Sequence, residues 1–325
     1  LADPAECGNV DLLLARVPPP SDPDTADALD VLRGELAEAR AMARTGRVFE
    51  GLARTRTLVD RAESLDYPPV LAEALSLRGM LDERNGDYDA AIEAETRAHA
   101  LALATGHDRV ASKAAERMVF LLGWRRRDLE DALRWADIAA AEIERSGDDL
   151  GARARLASSK AAAYRAAGEL EPARDNVAEA LRLLEQTTPD DPFVATLHTN
   201  LGEALRALDE YEEARRHHEL ALERYLADVG PQHPDVALAH HNLGSVYLDQ
   251  GAAEEAEVEY RRALEIRERV YGDDHPEVAA TLSNLGIALR RQGKLDEAAE
   301  TYERALAILD ARPGEQSPYA SNMLN

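Results

Sequence analysis

The sequence predicts an all-α fold, specifically a right-handed α-solenoid of about seven helix-turn-helix pairs plus a partial eighth. The main observation is an internal repeat: His233 and His275, each followed by proline, stand 42 residues apart, as do Asn242 and Asn284. A fixed period of this length is typical of a solenoid, in which each unit packs only on its neighbours. The composition agrees, because hydrophobic residues make up 45% of the chain but aromatic residues only 5%, and strand-forming runs are missing.

A small residue recurs at one position in the second helix of every pair, at intervals of 40 to 42 residues. These residues are Gly51, Ala91, Ala132, Ala173, Ala214, Ala256 and Ala298. An alanine follows seven residues later in six of the pairs, and because seven residues make two helical turns, both small residues lie on one helix face. The pattern predicts that the two helices of each pair approach closely.

Taken in order, the predicted helices alternate with short turns. The first four pairs are Thr25–Arg44 with Phe49–Ser64, Val70–Asn85 with Asp87–Ala104, Asp108–Trp124 with Leu129–Ser146, and Gly151–Ala166 with Leu170–Gln186. Three further pairs begin at Asp191, His233 and His275, each of which precedes a proline suited to the first helical position. Glycines mark the turns where helices are expected to end: Gly46, Gly86, Gly147, Gly168, Gly251 and Gly293.

Both ends of the chain differ from the repeats. Residues 1–23 are predicted to be an N-terminal segment in which residues 10–14 can form a short helix before the proline-rich linker at residues 18–20. The repeats then divide into a divergent set, residues 24–186, and a set with the 42-residue spacing, residues 187–325. Ser317-Pro318 keeps the 42-residue step, which predicts a truncated eighth helix at the end of the chain.

Charge and cysteine content narrow the possible partners. The net charge is −24, and so acidic a surface repels nucleic acid and anionic membranes. The charge is interpreted as a means of solubility, with a basic partner as the alternative. Cys7 is the single cysteine, so an intramolecular disulfide is excluded, and no run of residues is apolar enough to span a membrane. Because the sequence starts at Leu1, we expect a piece of a longer, cytoplasmic protein.

The regular repeats resemble the tetratricopeptide repeat (TPR) family. The matching residues of one unit are Leu243, Gly244, Tyr247, Ala256, Tyr260 and Ala263. The 42-residue spacing, with His-Pro before and Asn-Leu-Gly within each unit, is similar to the kinesin light chain subtype. This resemblance is specific over residues 191–311 and looser over residues 25–186. It implies a non-catalytic scaffold whose first helices line a concave groove for an extended peptide.

A second resemblance concerns the N-terminal segment. The stretch that begins at Asp3 and ends at Pro23 is similar to the linker before the repeats of large bacterial, chiefly myxobacterial, Ser/Thr protein kinases. It implies a kinase domain N-terminal to Leu1. The sequence itself contains no glycine-rich phosphate loop, no HRD and no DFG motif, and no other catalytic motif, so we predict that this chain is not an enzyme and needs no cofactor.

The resemblance places Asn200, Asn242 and Asn284 toward the groove, where an amide suits the backbone of an extended peptide. The alternative is a hydrogen bond between helices, inherited by duplication. Neighbouring candidates for the groove are Thr199, Glu203, Arg206, His241, Ser245, Asp249, Ser283, Ile287, Arg290 and Arg291. Arg165, Arg206 and Arg290 recur at the ends of first helices; they are interpreted as cations placed at a helix C-terminus, with a basic strip for an acidic peptide as the alternative.

Two sets of residues depart from the repeat pattern. Arg78 and Asp82 stand where apolar residues are expected, and the preferred interpretation is a locally slipped helix register, with a charged notch in the groove as the alternative. The adjacent histidines His217-His218 and His240-His241 are interpreted as packed repeat residues rather than metal ligands, since His218 occupies the position of Tyr260.

Three functions follow from these predictions. The first is a scaffold that binds a protein or peptide partner in the concave groove. The second is a regulatory or substrate-recruiting segment of a Ser/Thr kinase whose catalytic domain lies outside this chain. The third is self-association through an uncapped C-terminal end.

Overall fold

Helix-forming residues separated by short turns produce fourteen α-helices in the part of the chain that the computed structural model describes, residues 17–18, 20–44 and 47–310. The helices, numbered here α1 to α14, are Pro23–Arg44, Val48–Ser64, Pro68–Arg84, Tyr88–Thr105, Asp108–Phe120, Leu129–Arg145, Leu150–Ala167, Leu170–Thr187, Phe193–Ala207, Tyr211–Asp228, Pro234–Asp249, Ala253–Tyr271, Pro276–Arg291 and Leu295–Asp310. The odd-numbered helices are the first helices of seven pairs. The predicted all-α class and its helix pairs are confirmed.

Several predictions fall outside the described residues. They are the short N-terminal helix at residues 10–14, Cys7, Gly46 and the eighth helix from Ser317. The N-terminal segment that resembles kinase linkers belongs mostly to the same undescribed part, so that resemblance stays a prediction. Within the described residues, no helix combines the length and the apolar character needed to cross a bilayer.

The predicted helix boundaries agree with the structure to within about two residues, except at the end of α5. The sequence predicts a helix from Asp108 to Trp124, whereas the α-helix ends at Phe120 and one turn of π-helix follows, Leu121–Arg125. The wider turn of the π-helix is shown by the hydrogen bond that the Arg126 amide donates to the Leu121 carbonyl, five residues back, at 3.2 Å. π-Turns of this kind are not specified by hydrophobic periodicity, which explains why the prediction missed it.

The chain divides into two compact units, Leu1–Thr187 and Thr188–Asn325, called unit 1 and unit 2 below. Within each unit every helix packs against the next one in the chain. First helices of successive pairs also contact each other: α1 with α3, α3 with α5 and α5 with α7 in unit 1, and α9 with α11 and α11 with α13 in unit 2. The first helices of each unit therefore lie side by side.

A glycine in the first helix makes room for a large side chain from the second. A Cβ added to Gly244 would lie 2.8 Å from the ring of Tyr260, and one added to Gly286 would lie 2.6 Å from the ring of Tyr302. In unit 1, Gly79 faces Glu95 in the same way. Since Gly79 occupies the same packing position as Gly244, the helix register is not slipped there, and the preferred interpretation of the charged residues in α3 is wrong.

The charged residues of α3 instead pair with each other. Arg78 Nε donates to Asp82 Oδ2 at 3.2 Å, and Asp82 is only 1% exposed. Burial, the largest cause, raises the pKa of the Asp82 carboxyl, and the nearby Arg78 guanidinium partly opposes this shift. The predicted pairing of these two residues on one helix face is thereby confirmed.

Most turns use a left-handed residue where a helix ends. The five described glycines that the sequence predicted in turns have φ between +79° and +105°. Where glycine is absent, aspartate or arginine adopts the same conformation, as at Asp66, Arg127 and Asp209. Aspartate is among the residues that tolerate this region, but arginine at φ +55° is unusual.

Candidate ligand-binding surface on the first helices

The three asparagines of unit 2 occupy equivalent positions on α9, α11 and α13, two residues before the glycines that face the second helices. Two residues correspond to a rotation of about 200° around a helix. Asn200, Asn242 and Asn284 therefore point away from the second helix of their own pair, and each is half-buried. This is the side on which the resemblance placed a groove.

The three amides differ in their partners. Asn284 Nδ2 lies 3.1 Å from His241 Nε2, so this asparagine is held by the preceding repeat. Asn242 Nδ2 is buried and has no hydrogen-bond partner among the described residues. The side chain of Asn200 likewise makes no hydrogen bond within the described part of unit 2. Because buried donors are normally paired, the unpaired amide of Asn242 is the exceptional polar group of this surface.

His241 lies at the centre of a polar network in unit 2. Arg267 Nη1 lies 3.4 Å from His241 Nδ1, and it also donates to the Glu277 carbonyl at 3.2 Å and to Thr281 Oγ1 at 2.6 Å. The imidazole ring packs edge-on against Tyr260, with ring centroids 5.3 Å apart. Burial, and secondarily the positive charge of Arg267, lowers the pKa of His241 to about 3, so the ring is neutral at physiological pH.

Tyr260 and Ser245 extend this network. The Tyr260 hydroxyl donates to Ser245 Oγ at 3.1 Å, and Ser245 Oγ donates to the His241 carbonyl at 3.0 Å. Burial raises the pKa of Tyr260 to about 12. The predicted groove residues His241 and Ser245 are thus brought together, but both are engaged in holding α11 against α12 and α13.

Two of the predicted groove residues are buried. Thr199 is 3% exposed, and its hydroxyl donates to the Ala195 carbonyl at 3.1 Å; Ser283 is 5% exposed and donates to the Ala279 carbonyl at 2.7 Å. Each lies one residue before its asparagine, and the rotation of about 100° per residue turns it into the helix-helix interface. Neither side chain is accessible in this structure, so both are left out of the surface proposed below.

Most of the arginines at the ends of the first helices contact other residues of their own unit. Arg206 Nη1 donates to Asp249 Oδ2 at 2.6 Å, which links the C-terminal ends of α9 and α11. Arg291 donates to the Leu248 carbonyl at the end of α11. In unit 1, the Arg165 guanidinium stacks 4.6 Å over the Trp124 ring. Arg290 is exposed and makes no ion pair with any described residue.

The remaining candidates flank the asparagines. Glu203 and Ile287 are half-buried and occupy the position of Ser245 in the preceding and following repeats. Asp249 is already paired with Arg206 in a salt bridge. The unengaged side chains of this surface in unit 2 are therefore chiefly those of Asn200, Arg290 and Asn242, and the Nδ2 atom of Asn242 is itself buried.

The histidines behave as packed repeat residues. His218 is fully buried at the position of Tyr260, and burial lowers its pKa to about 3. His198 Nδ1 lies 2.9 Å from His217 Nδ1, and burial lowers the pKa of His198 to about 4. Among the described residues, no group of three or more His, Cys, Asp or Glu side chains is arranged to hold a metal ion.

Two kinds of residue with clear structural roles are not predicted from the sequence. Arg267, which joins three parts of the network in unit 2, carries no periodic signal, because arginine on a second helix normally indicates an exposed face. His233 and His275 are predicted from the sequence only as the residues before helix-starting prolines, whereas in the structure each Nδ1 accepts the amide hydrogen two residues on, at 3.2 Å, and so caps α11 or α13. The position immediately before a helix-starting proline is the signal that could have identified these caps.

Comparisons with known proteins agree with this fold. The family model described as tetratricopeptide repeat matches residues 193–258 and 235–311. BtubC (BKLC) from P. vanneervenii is 21% identical, with 91% of this chain and 95% of that chain covered and a TM-score of 0.51. A putative kinesin light chain from Podospora anserina is 19% identical over 65% of this chain and 98% of that chain, with a TM-score of 0.54.

A third similar structure is a Rap protein complexed with Competence and Sporulation Factor. It is 14% identical, with 90% of this chain and 80% of that chain covered and a TM-score of 0.63. No curated protein matches the chain. Residues 193–311 therefore match tetratricopeptide repeats, and the solved structures that are similar in fold include a putative kinesin light chain.

Proposed function

We propose that this chain is a non-catalytic scaffold that binds an extended peptide segment of a protein partner across α9, α11 and α13. The unpaired amide of Asn242 carries this proposal. An amide has two donors and an acceptor, which can satisfy the backbone of a bound peptide without selecting its side chains. Asn200 on the adjacent first helix offers a second amide, and Arg290 on α13 offers an exposed cation.

The similar structures support an interaction role. The Rap structure is a complex with Competence and Sporulation Factor, and another neighbour with a TM-score of 0.60 is the APC/C hetero-tetramer Cut9–Hcn1. Both show that stacked helix pairs of this kind occur in complexes. For this chain the partner is inferred to be a protein or peptide rather than nucleic acid, because the net charge of −24 repels phosphate backbones.

A peptide-display selection tests the proposal. Peptides enriched on the wild-type chain are titrated against a double variant, Asn200→Ala with Asn242→Ala, by fluorescence anisotropy. We expect affinity to fall by about tenfold or more, since each lost hydrogen bond contributes roughly 1 kcal/mol. A selection that enriches no peptide, or peptides that bind the double variant as tightly as the wild type, would contradict the proposal.

Two controls separate binding from folding. Asn176→Ala removes an amide from the second helix α8, where Asn176 Nδ2 donates to the Pro172 carbonyl at 2.8 Å, and should leave peptide affinity unchanged. Circular dichroism should show the same helical content in every variant. Asn284→Ala is expected to lower stability rather than affinity, because Asn284 is already held by His241.

A further inference from the structure

In unit 2, a second helix packs one of its faces against the first helix of the next pair, as the junction between α12 and α13 shows. Tyr260, Leu264 and Arg267 of α12 are four and three residues apart and so share this face. Leu264 packs against the apolar cluster that contains Val278 of α13. Arg267 Nη1 donates to Thr281 Oγ1, also on α13, at 2.6 Å. Because α13 covers the face, Tyr260 is 0% exposed and Arg267 is 5% exposed.

The helix α14 carries the same face, but no helix follows it among the described residues, which end at residue 310. The equivalent residues, 42 positions later, are Tyr302, Leu306 and Leu309. Tyr302 and Leu309 are only half-buried, in contrast to the completely buried Tyr260. Packing within the pair does not explain this contrast, since the rings of both tyrosines lie against a glycine of their own first helix. The described part of the chain therefore leaves an apolar face of α14 partly uncovered.

The sequence after α14 repeats the turn that leads from α12 to α13. Gly230 and Gly272 each adopt φ +83°, and each lies three residues before a histidine that caps the next first helix. Gly314 follows Gly272 by 42 residues and lies three residues before the serine of a Ser-Pro pair. Residues 311–325 lie outside the described residues. Their turn has the spacing that, at the two earlier junctions, returns the chain onto the preceding second helix.

The residues that such a junction brings together change as a set from one repeat to the next. Arg267 of α12 has two partners on α13: its Nη1 donates to Thr281 Oγ1, and its Nη2 lies 2.9 Å from Glu277 Oε2. The residues 42 positions after these three are Leu309, Met323 and Tyr319. A cation with polar partners is thus replaced by a leucine whose counterparts are apolar or aromatic. Both sets match internally, since neither leaves an unpaired charge at the junction.

Residues 317–325 also lack the charge that characterises the rest of the chain. Charged residues make up 31% of the chain, yet the stretch SPYASNMLN contains no Asp, Glu, Lys or Arg. A segment that remains in solvent is typically rich in charge and poor in apolar residues, whereas this one contains Tyr319, Met323 and Leu324. So short a segment does not form a stable helix in water on its own, and a helix here requires a surface to pack on.

We propose that residues 317–325 form a short helix that docks on α14 of the same chain, as α13 docks on α12. Ser317 supplies the N-cap acceptor, and Pro318 is the first helical residue. The occupant is this segment rather than a second copy of the chain, because the short connection at residues 311–316 gives the segment an effective concentration on the order of millimolar. Two chains with a net charge of −24 instead repel each other.

Docking closes this face of α14 to self-association and does not involve Asn200 or Asn242 of the proposed peptide surface. Hydrogen exchange of the α14 amides tests it, in the full chain and in a chain shortened to residues 1–316. We expect exchange to be faster by about tenfold or more in the shortened chain, because even one large apolar side chain buried at the junction corresponds to this factor. Protection in the full chain should not depend on protein concentration.

Two results of this experiment would overturn the docking. Equal exchange of α14 in the full and shortened chains would mean that the segment covers nothing there. Protection that rises with protein concentration, together with dimers in light scattering, would identify a second copy of the chain as the occupant.

Substituting the matched residues together tests the register. Leu309→Arg should accelerate exchange of the α14 amides by about tenfold, because it places a cation against an apolar partner. Adding Tyr319→Glu and Met323→Thr re-creates the set found between α12 and α13, and should return exchange to within about threefold of the wild type. The decisive comparison is between the single and the triple variant, since Leu309 also packs against the apolar cluster between α13 and α14. A triple variant that exchanges as fast as the single one would show that these residues do not meet.

Leu295→Arg is the matched control, because Leu295 also lies on α14 but is 64% exposed. The same added charge at this position should change exchange by less than about twofold. If Leu295→Arg accelerates exchange as much as Leu309→Arg does, the added charge rather than a contact explains the effect, and the docking is wrong. Circular dichroism of every variant checks that the helical content is retained.

Discussion

At the scale of single residues, the contact between a first-helix glycine and a large second-helix side chain determines how closely a pair can pack. Gly244 is a poor helix former, yet a Cβ at this position would meet three ring atoms of Tyr260 at 2.8 to 3.0 Å. The glycine therefore costs helix propensity and provides the space that Tyr260 fills. The sister positions Gly202 and Gly286 accommodate His218 and Tyr302 in the same way.

Gly244→Ala should destabilise unit 2. Alanine gains about 1 kcal/mol of helix propensity, but overpacking against a fully buried tyrosine costs up to about 3 kcal/mol, so we expect a net loss of about 1–2 kcal/mol. Gly34→Ala is the matched control, because Gly34 lies in α1 with no atom within 4 Å of its added Cβ, and it should stabilise unit 1. Urea unfolding of both variants measures the change in the free energy of unfolding relative to the wild type. If Gly244→Ala increases that free energy, the packing argument is wrong.

At the scale of one helix, the histidine N-caps distinguish α11 and α13 from the other first helices. His233 and His275 have extended backbones, and their Nδ1 atoms accept the amide hydrogens of Asp235 and Glu277, respectively. His275 additionally stacks on Tyr271, with ring centroids 4.4 Å apart. A substitution of His275 would remove both the cap and the stacking contact. His233 is therefore the better position at which to test the cap alone.

His233→Ala should lower the stability of unit 2 by about 1 kcal/mol, the usual cost of losing an N-cap, whereas His233→Asn should retain most of it because asparagine supplies an acceptor. Denaturant unfolding at pH 7.5 compares the two. If asparagine and alanine prove equally destabilising, the imidazole does not act as a cap.

The elements were largely predictable from the sequence, and the polar contacts between them were not. Small residues that recur with the repeat, such as Ala256, and turn glycines, such as Gly251, can be recognised from residue type and spacing alone. They therefore predict where helices pack closely and where they end. The contact of His241 with Asn284 depends instead on which residues of two different repeats face each other, and that follows from helix packing. The burial of Thr199 also depends on packing: it lies one residue before Asn200, and one residue rotates a side chain by about 100° around the helix.

At the scale of the whole molecule, buried ionisable groups give the two units opposite pH dependences. In unit 2, burial lowers the pKa of His198 to about 4 and those of His218 and His241 to about 3. In unit 1, burial raises the pKa of Glu95 to about 7, although Arg117 partly opposes this. The unfolded chain has ordinary values for all four groups, near 6.5 for histidine and 4.3 for glutamate.

Unit 2 should lose stability as the pH falls below about 6.5, because the unfolded histidines then take up protons that the folded ones do not; each contributes up to about 1.4 kcal/mol per pH unit. The contribution of Glu95 has the opposite sign and diminishes as the pH rises from about 4.3 to about 7. Hydrogen exchange of each unit at pH 5.5 and 7.5, corrected for intrinsic rates, measures both trends. His218→Phe should reduce the pH dependence of unit 2, and an unchanged slope would contradict the assignment to this histidine.

Polar contacts between neighbouring repeats are not copies of one another, and this limits how the array can be rearranged. Arg206 meets Asp249, 43 residues further on, and His241 meets Asn284 at the same interval. Removing one complete 42-residue unit between Arg206 and Arg291 would preserve the helical phase but bring these two arginines together in place of the ion pair. The repeats of unit 2 therefore have a fixed order, and shuffling them, in the laboratory or by recombination, requires new residues at each junction.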